Sequence, residues 1–115
     1  MSNYHEPVEL LSEKAKNITR AINSLREELE AVDWYNQRVE ATDDEELKQI
    51  MAHNRDEEIE HACMTIEWLR RNMDKWDEEL KTYVFTDRPI IEAEEGAEEG
   101  GGKPPSSGLN IGKLK

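Results

Sequence analysis

The chain is short of most things that let 115 residues stand alone. It has one cysteine, Cys63, which excludes an internal disulfide and fits a reducing cytosol. With no triad-like context around it, Cys63 reads as a small buried hydrophobe rather than a nucleophile. No apolar run reaches 18 residues, so no membrane-spanning helix is expected. The opening residues, MSNYHEP, lack a basic stretch followed by an apolar one, so no signal peptide is expected either. Basic residues are outnumbered, and the net charge of −12 argues against nucleic acid and anionic membrane as partners while suiting the attraction of cations. Aliphatic core formers are sparse beside 37% charged residues. One small domain of this composition buries too little surface for comfortable stability, which predicts self-association. There is no internal repeat.

What is present is helical. Pro7 suits the first turn of a helix, and residues 8–40 contain neither Pro nor Gly. Leu11, Ala15, Ile18, Ile22, Leu25, Leu29 and Val32 recur in alternating steps of four and three, the near-heptad spacing of an amphipathic helix packed lengthwise on another. Thr42 and Glu45 have capping-box spacing and predict a second helix over residues 43–72. Leu47, Ile50, Met51, Asn54, Thr65, Trp68, Leu69 and Asn72 mark its face. So short a connection makes the two helices an antiparallel hairpin. Residues 74–83 predict a short third helix, capped by Asp74 with Trp76 and Leu80 inward. Residues 85–91 read as extended, bounded by Pro89. From residue 93 the composition turns acidic and rich in Gly, Pro and Ser (residues 94–108 are EEGAEEGGGKPPSSG), which predicts a disordered linker over 93–107. The tip, residues 108–115, then places Leu109, Ile111 and Leu114 after it. The predicted class is all-α, with the helical domain at residues 1–92.

The most informative segment is RDEEIEH, residues 55–61. Glu58 and His61 lie three apart on the second helix, a spacing that lets a carboxylate and an imidazole share a metal ion. About 100° per residue sets them astride the middle of that helix's apolar face, beside Asn54, Thr65 and Trp68. A carboxylate there is costly unless paired or ligated; the plainer alternative is an i, i+3 surface pair. On the first helix, Glu28 flanks the apolar stripe and is the candidate third ligand, with Tyr35 two turns along as a hydrogen-bonding or redox partner. Glu27 and Glu30 lie on the far side with Trp34, as a carboxylate patch or simply a solvated acidic face. His53, one turn from Glu57, reads as a polar flank position, and His5 would reach a metal only across a subunit contact. A second apolar strip, Ala52, Ile59, Cys63 and Ile66, calls for a further packing partner.

A dinuclear carboxylate site draws about four Glu and two His from four helices. One hairpin supplies Glu28, Glu58 and His61, half of that. Two copies about a two-fold axis would complete both the site and a four-helix bundle. Carboxylate and imidazole ligands suit Fe(II) and Fe(III), and also Mn, Co or Zn.

These residues resemble the encapsulated ferritins, small ferritin-like proteins housed in encapsulin shells. The similar stretches are EELEAVDWY (27–35), AHNRDEE (52–58) with EHA (60–62), EWLRRN (67–72), and the tip GLNIGKLK (108–115), which looks like a cargo-loading peptide. Lys113 stands where a Ser is common in such tips. The resemblance implies a ferritin-like four-helix bundle completed by homodimerisation, with five dimers in a decameric ring. It also implies a ferroxidase centre of Glu28, Glu58 and His61 with Tyr35 beside it. Glu27, Glu30 and Trp34 match a metal transit site, in which the two glutamates are the ligands. A dinuclear iron site would oxidise Fe(II) for storage in the lumen of a cytoplasmic encapsulin shell, the partner of residues 108–115. Two rivals stand beside this reading: a non-enzymatic helical adaptor with a C-terminal docking peptide, and a manganese or zinc protein without oxidase turnover.

Overall fold

The computed structural model describes residues 4–99, and every structural element among them is helical. A 3-10 turn, Val8–Leu10, precedes α1 (Glu13–Ala41), α2 (Glu45–Asn72), α3 (Asp74–Tyr83) and α4 (Ile90–Glu99). The all-α expectation holds. The chain divides into two compact units at Asn72 and Met73.

In the first unit, α1 and α2 form the hairpin. The stretch free of Pro and Gly begins at residue 8, but the α-helix begins five residues later. Leu11 is extended, and Ser12 caps α1 by accepting a hydrogen bond from the Ala15 amide at 3.0 Å. Pro7 therefore opens the 3-10 turn rather than the helix, because a serine hydroxyl satisfies an amide that proline's fixed φ does not. At the next boundary Asp44, not Thr42, caps α2: its carboxylate accepts from the Leu47 amide at 3.0 Å, while Thr42 Oγ1 accepts from the Asp44 amide within the turn. Lys48 Nζ donates to the Val39 carbonyl at 2.8 Å, placing a cation on the C-terminal turn of α1, where its dipole favours one.

The seam between the helices runs along positions seven apart. On α1 these are Ile18, Leu25, Val32 and Val39, all half-buried; on α2 they are Lys48, Arg55, Ala62 and Leu69, of which Ala62 and Leu69 are buried. Arg55 reaches across to Asn36 Oδ1 at 3.0 Å. Leu47, Ile50 and Trp68, which the spacing assigns to the packed face of α2, are exposed. On the opposite flank, Leu29 and Ile59 are also exposed. A two-helix hairpin has one line of contact, so it cannot cover apolar residues that spread over more than about 100° of each helix.

In the second unit, α3 has the predicted bounds, but Met73 occupies the cap position without a side-chain bond and Asp74 is the first helical residue. Trp76 and Leu80 are half-buried. Val84 is extended and Phe85 has φ 64°, an uncommon conformation for a bulky residue, which turns the chain sharply after α3. Residues 90–99 correct the expectation of an extended stretch and a linker from residue 93. Pro89 starts a helical turn, its carbonyl accepting from the Ala93 amide at 3.0 Å, and Glu92 lies in the first turn, where negative charge is favoured. Arg88 donates to the Glu92 carbonyl at 2.7 Å, and its guanidinium covers Gly96 so closely that a Cβ there would collide with it. The rest of the expected linker and the tip at 108–115 lie outside the described residues.

Candidate metal centre

The seam decides what each glutamate of EELE meets. Glu28 stands beside the contact line of α1, half-buried, and Thr65 of α2 donates a hydrogen bond from Oγ1 to Glu28 Oε1 at 3.2 Å. The same hydroxyl lies 3.2 Å from the His61 carbonyl, so its one proton is shared between the two acceptors. This bond ties Glu28 to the turn of α2 that bears His61. Tyr35, two turns beyond Glu28 on the same side of α1, is half-buried, with the Arg38 guanidinium 5.2 Å from its ring centroid.

On α2, His61 Nδ1 lies 3.6 Å from Glu58 Oε1. That is too long for a hydrogen bond, but both groups stand on one flank of the helix. The flank is the edge of the seam rather than the middle of a buried stripe: the Glu58 side chain is 28% exposed and that of His61 43% exposed. The apolar spacing that centres a face on these residues is corrected by the seam through Ala62 and Leu69, about 20–40° from Glu58 and about 80–100° from His61 around the helix. Leu47, Ile50 and Trp68 are exposed on that same flank.

Glu57 stands outside this pair and between two imidazoles. Its Oε1 is 3.9 Å from His61 Nε2 and its Oε2 is 4.0 Å from His53 Nε2. His53 is thus part of an i, i+4, i+8 stripe with Glu57 and His61. Spacing alone contains that signal. His5 is exposed in the segment before α1.

Glu27, Glu30 and Trp34 project from the outer side of α1, all exposed, Trp34 by 50%. Glu27 and Glu30 line a shallow depression of roughly 340 Å³ with Asn23 and Arg26. Trp34 lines a neighbouring depression with Gln37, Arg38 and Ala41. Asn23 and Arg26 do not announce themselves in sequence, because neither is a metal ligand by type.

The chain therefore brings Glu28 toward the turn bearing His61 and sets Glu58 beside that histidine. Among the described residues, however, no group of three or more His, Cys, Asp or Glu side chains gathers closely enough to hold a metal ion. No helix among them is long and apolar enough to cross a membrane. Strong electrostatics lie elsewhere, at the end of α2. Hydrogen bonds from Arg70 and Arg71 hold the Glu67 carboxyl well below its usual range, at about 2.

Comparison with known proteins identifies the family. The sequence profile of the EncFtn-like family matches residues 3–87. A ferritin-like protein of Thermotoga maritima is 58% identical over 111 residues, 96% of each chain. The encapsulated ferritin-like protein of Rhodospirillum rubrum is 57% identical over 121 residues, covering 96% of this chain and 86% of that one. The crystal structure of protein ne0167 from Nitrosomonas europaea superposes with a TM-score of 0.74 at 60% identity, over 77% of this chain and 98% of the other. With its profile match spanning both helices of the hairpin and all of α3, the chain belongs to the EncFtn-like family.

Proposed function

We propose that this protein oxidises Fe(II) to Fe(III) at a dinuclear site built from two copies of the chain, and that it works as cargo of an encapsulin shell in which the iron is stored. The observation that carries the reading is the common flank of the hairpin, where Glu28, Glu58 and His61 share a side with exposed Leu47, Ile50 and Trp68. A half-set of ligands and an uncovered apolar surface on one face have one remedy in common, a second copy applied about a two-fold axis. The same operation doubles the ligands to four Glu and two His and the helices to four. Membership of a family with an encapsulated ferritin-like relative supports the iron and the shell.

In the assembled site, the carboxylates supply anionic oxygens that favour Fe(III) over Fe(II), and the imidazoles supply neutral nitrogen. Each of two Fe(II) ions gives up one electron. Dioxygen takes both electrons with two protons and leaves as hydrogen peroxide; with peroxide as oxidant, the same electrons and protons leave two waters. Glu27 and Glu30 form an exposed anionic patch through which Fe(II) approaches, with Trp34 beside it. Dimers closing into a ten-subunit ring would use the second flank, where Leu29 and Ile59 are exposed. Residues 108–115 would seat three aliphatic side chains in an apolar groove of the shell protein, inside which the protein would reside.

One set of proteins tests both parts. Glu58→Ala and His61→Ala should lower Fe(II) oxidation, followed by stopped-flow absorbance, by at least about a hundredfold. A chain lacking residues 108–115 should oxidise normally but fail to co-purify with its shell. Oxidation by the two ligand variants at the wild-type rate would overturn the site, and a wild-type protein that develops no iron-dependent absorption would leave the adaptor reading in its place.

A further inference from the structure

Arg26 is four residues before Glu30 and adjacent to Glu27, so an ion pair across the acidic patch is within its reach. It does not make one. Its Nη1 donates instead to Asn23 Oδ1 at 2.7 Å, and neither Glu27 nor Glu30 has a side-chain hydrogen bond or ion pair with another described residue. Two features of helix geometry explain the choice. Side chains lean toward the helix N-terminus, which carries Arg26 back over Asn23. An arginine placed N-terminal to its glutamate also has the weaker of the two i, i+4 orientations. A hydrogen bond to a charged donor outweighs such a pair. Arg20 makes a useful contrast. It leans back onto Asn17 at 2.6 Å in the same way, but a carboxylate lies beyond, and it pairs with Glu13 at 3.0 Å.

We propose that Asn23 is a positioning residue that holds Arg26 off Glu27 and Glu30 and so keeps both carboxylates open to an incoming cation. This deepens the reading of Glu27 and Glu30 as the patch where iron approaches, and rests on it. With Asn23 in place, the patch presents two anionic groups beside a cation that is held back. Without Asn23, the guanidinium is free to fold forward onto Glu30 and compete with the metal.

Trp34 provides the readout. It sits one turn beyond Glu30, and an indole can transfer excitation to a nearby terbium ion, so Tb(III) titration of the full-length protein at low ionic strength follows the patch directly. The quantity of interest is the sensitised emission that disappears in a Glu27→Ala/Glu30→Ala protein. Asn23→Ala should weaken that binding about twofold, the scale of an exposed i, i+4 ion pair, and Arg26→Gln should tighten it by about threefold. The decisive case is Asn23→Ala/Arg26→Gln, which should match Arg26→Gln alone, because Asn23 acts only through the arginine. Equal affinity in wild type and Asn23→Ala, or the same loss with residue 26 as Gln, overturns this inference alone. Emission indifferent to Glu27 and Glu30 overturns the patch itself, and the inference with it.

Discussion

Glu28 and its neighbours Glu27 and Glu30 are one residue type on one turn of one helix, yet they are placed in different chemistry. Glu28 is half-buried and tied to Thr65 across the seam. Glu27 and Glu30 are exposed, with an arginine turned away from them. A step of 100° around α1 separates a carboxylate held at a fixed position from one that is only a charge near a surface. Ordered, partly desolvated ligands suit a site where chemistry depends on geometry. Mobile, solvated ones suit capture and release, where tight binding would be a fault.

Substitutions should separate the two groups. The largest expected effect is that of Glu28→Ala, which removes a proposed ligand and should reduce the maximal Fe(II) oxidation rate about a hundredfold or more at any iron concentration. Glu27→Ala/Glu30→Ala should instead slow oxidation several-fold at low Fe(II) and low salt, with rates converging on wild type as iron or ionic strength rises, because an electrostatic contribution to encounter is screened and saturable. Identical profiles for the two proteins would end the distinction.

Thr65→Val sharpens it. Loss of the hydroxyl frees Glu28 without removing it, and oxidation should fall about tenfold, the scale seen when a partner of a ligating carboxylate is lost. Thermal stability should drop by about 1 kcal/mol for the lost hydrogen bond. A wild-type rate in this protein would mean that Glu28 needs no tether.

The smallest effect concerns acid stability, at a fourth glutamate. Glu67 is more tightly partnered than any of the others, and its carboxyl titrates at about 2 instead of 4.5. A carboxyl held low in the folded state contributes stability at neutral pH that is lost as the pH falls from about 4.5 toward 2. Glu67→Gln should flatten the acid limb of the unfolding curve in that window and leave Fe(II) oxidation near neutrality unchanged. An unaltered acid limb would show that Arg70 and Arg71 do not hold Glu67 in solution.

Much of this arrangement can be read from residue spacing. The heptad pattern of α1 and the short polar connection specify an antiparallel hairpin, because a helix with apolar residues every three to four positions must pack lengthwise. Glu58 and His61 are recognisable as a pair at i, i+3, and Glu28 is distinguishable from Glu27 and Glu30 by angle alone. Boundaries were harder to read. Ser12 and Asp44 take the caps that Pro7 and Thr42 suggest, because several residues near each boundary can satisfy the free amides and only backbone geometry selects one. Helix α4 was hidden by its acidic, Gly-containing composition, and its first turn depends on Pro89 and Arg88 acting together.

The sequence by itself determined the all-helical class, the hairpin and the kinds of ligand available. Those depend on local periodicity and side-chain type, which need no knowledge of what lies across a seam. Only the tertiary structure decided that α1 packs along Ala62 and Leu69. That choice moves Glu58 and His61 to the edge of the hairpin, beside an uncovered apolar flank. It also shows Thr65 reaching Glu28 and Asn23 holding Arg26. Each of these is a selection among several partners within reach, and packing geometry makes that selection where composition cannot.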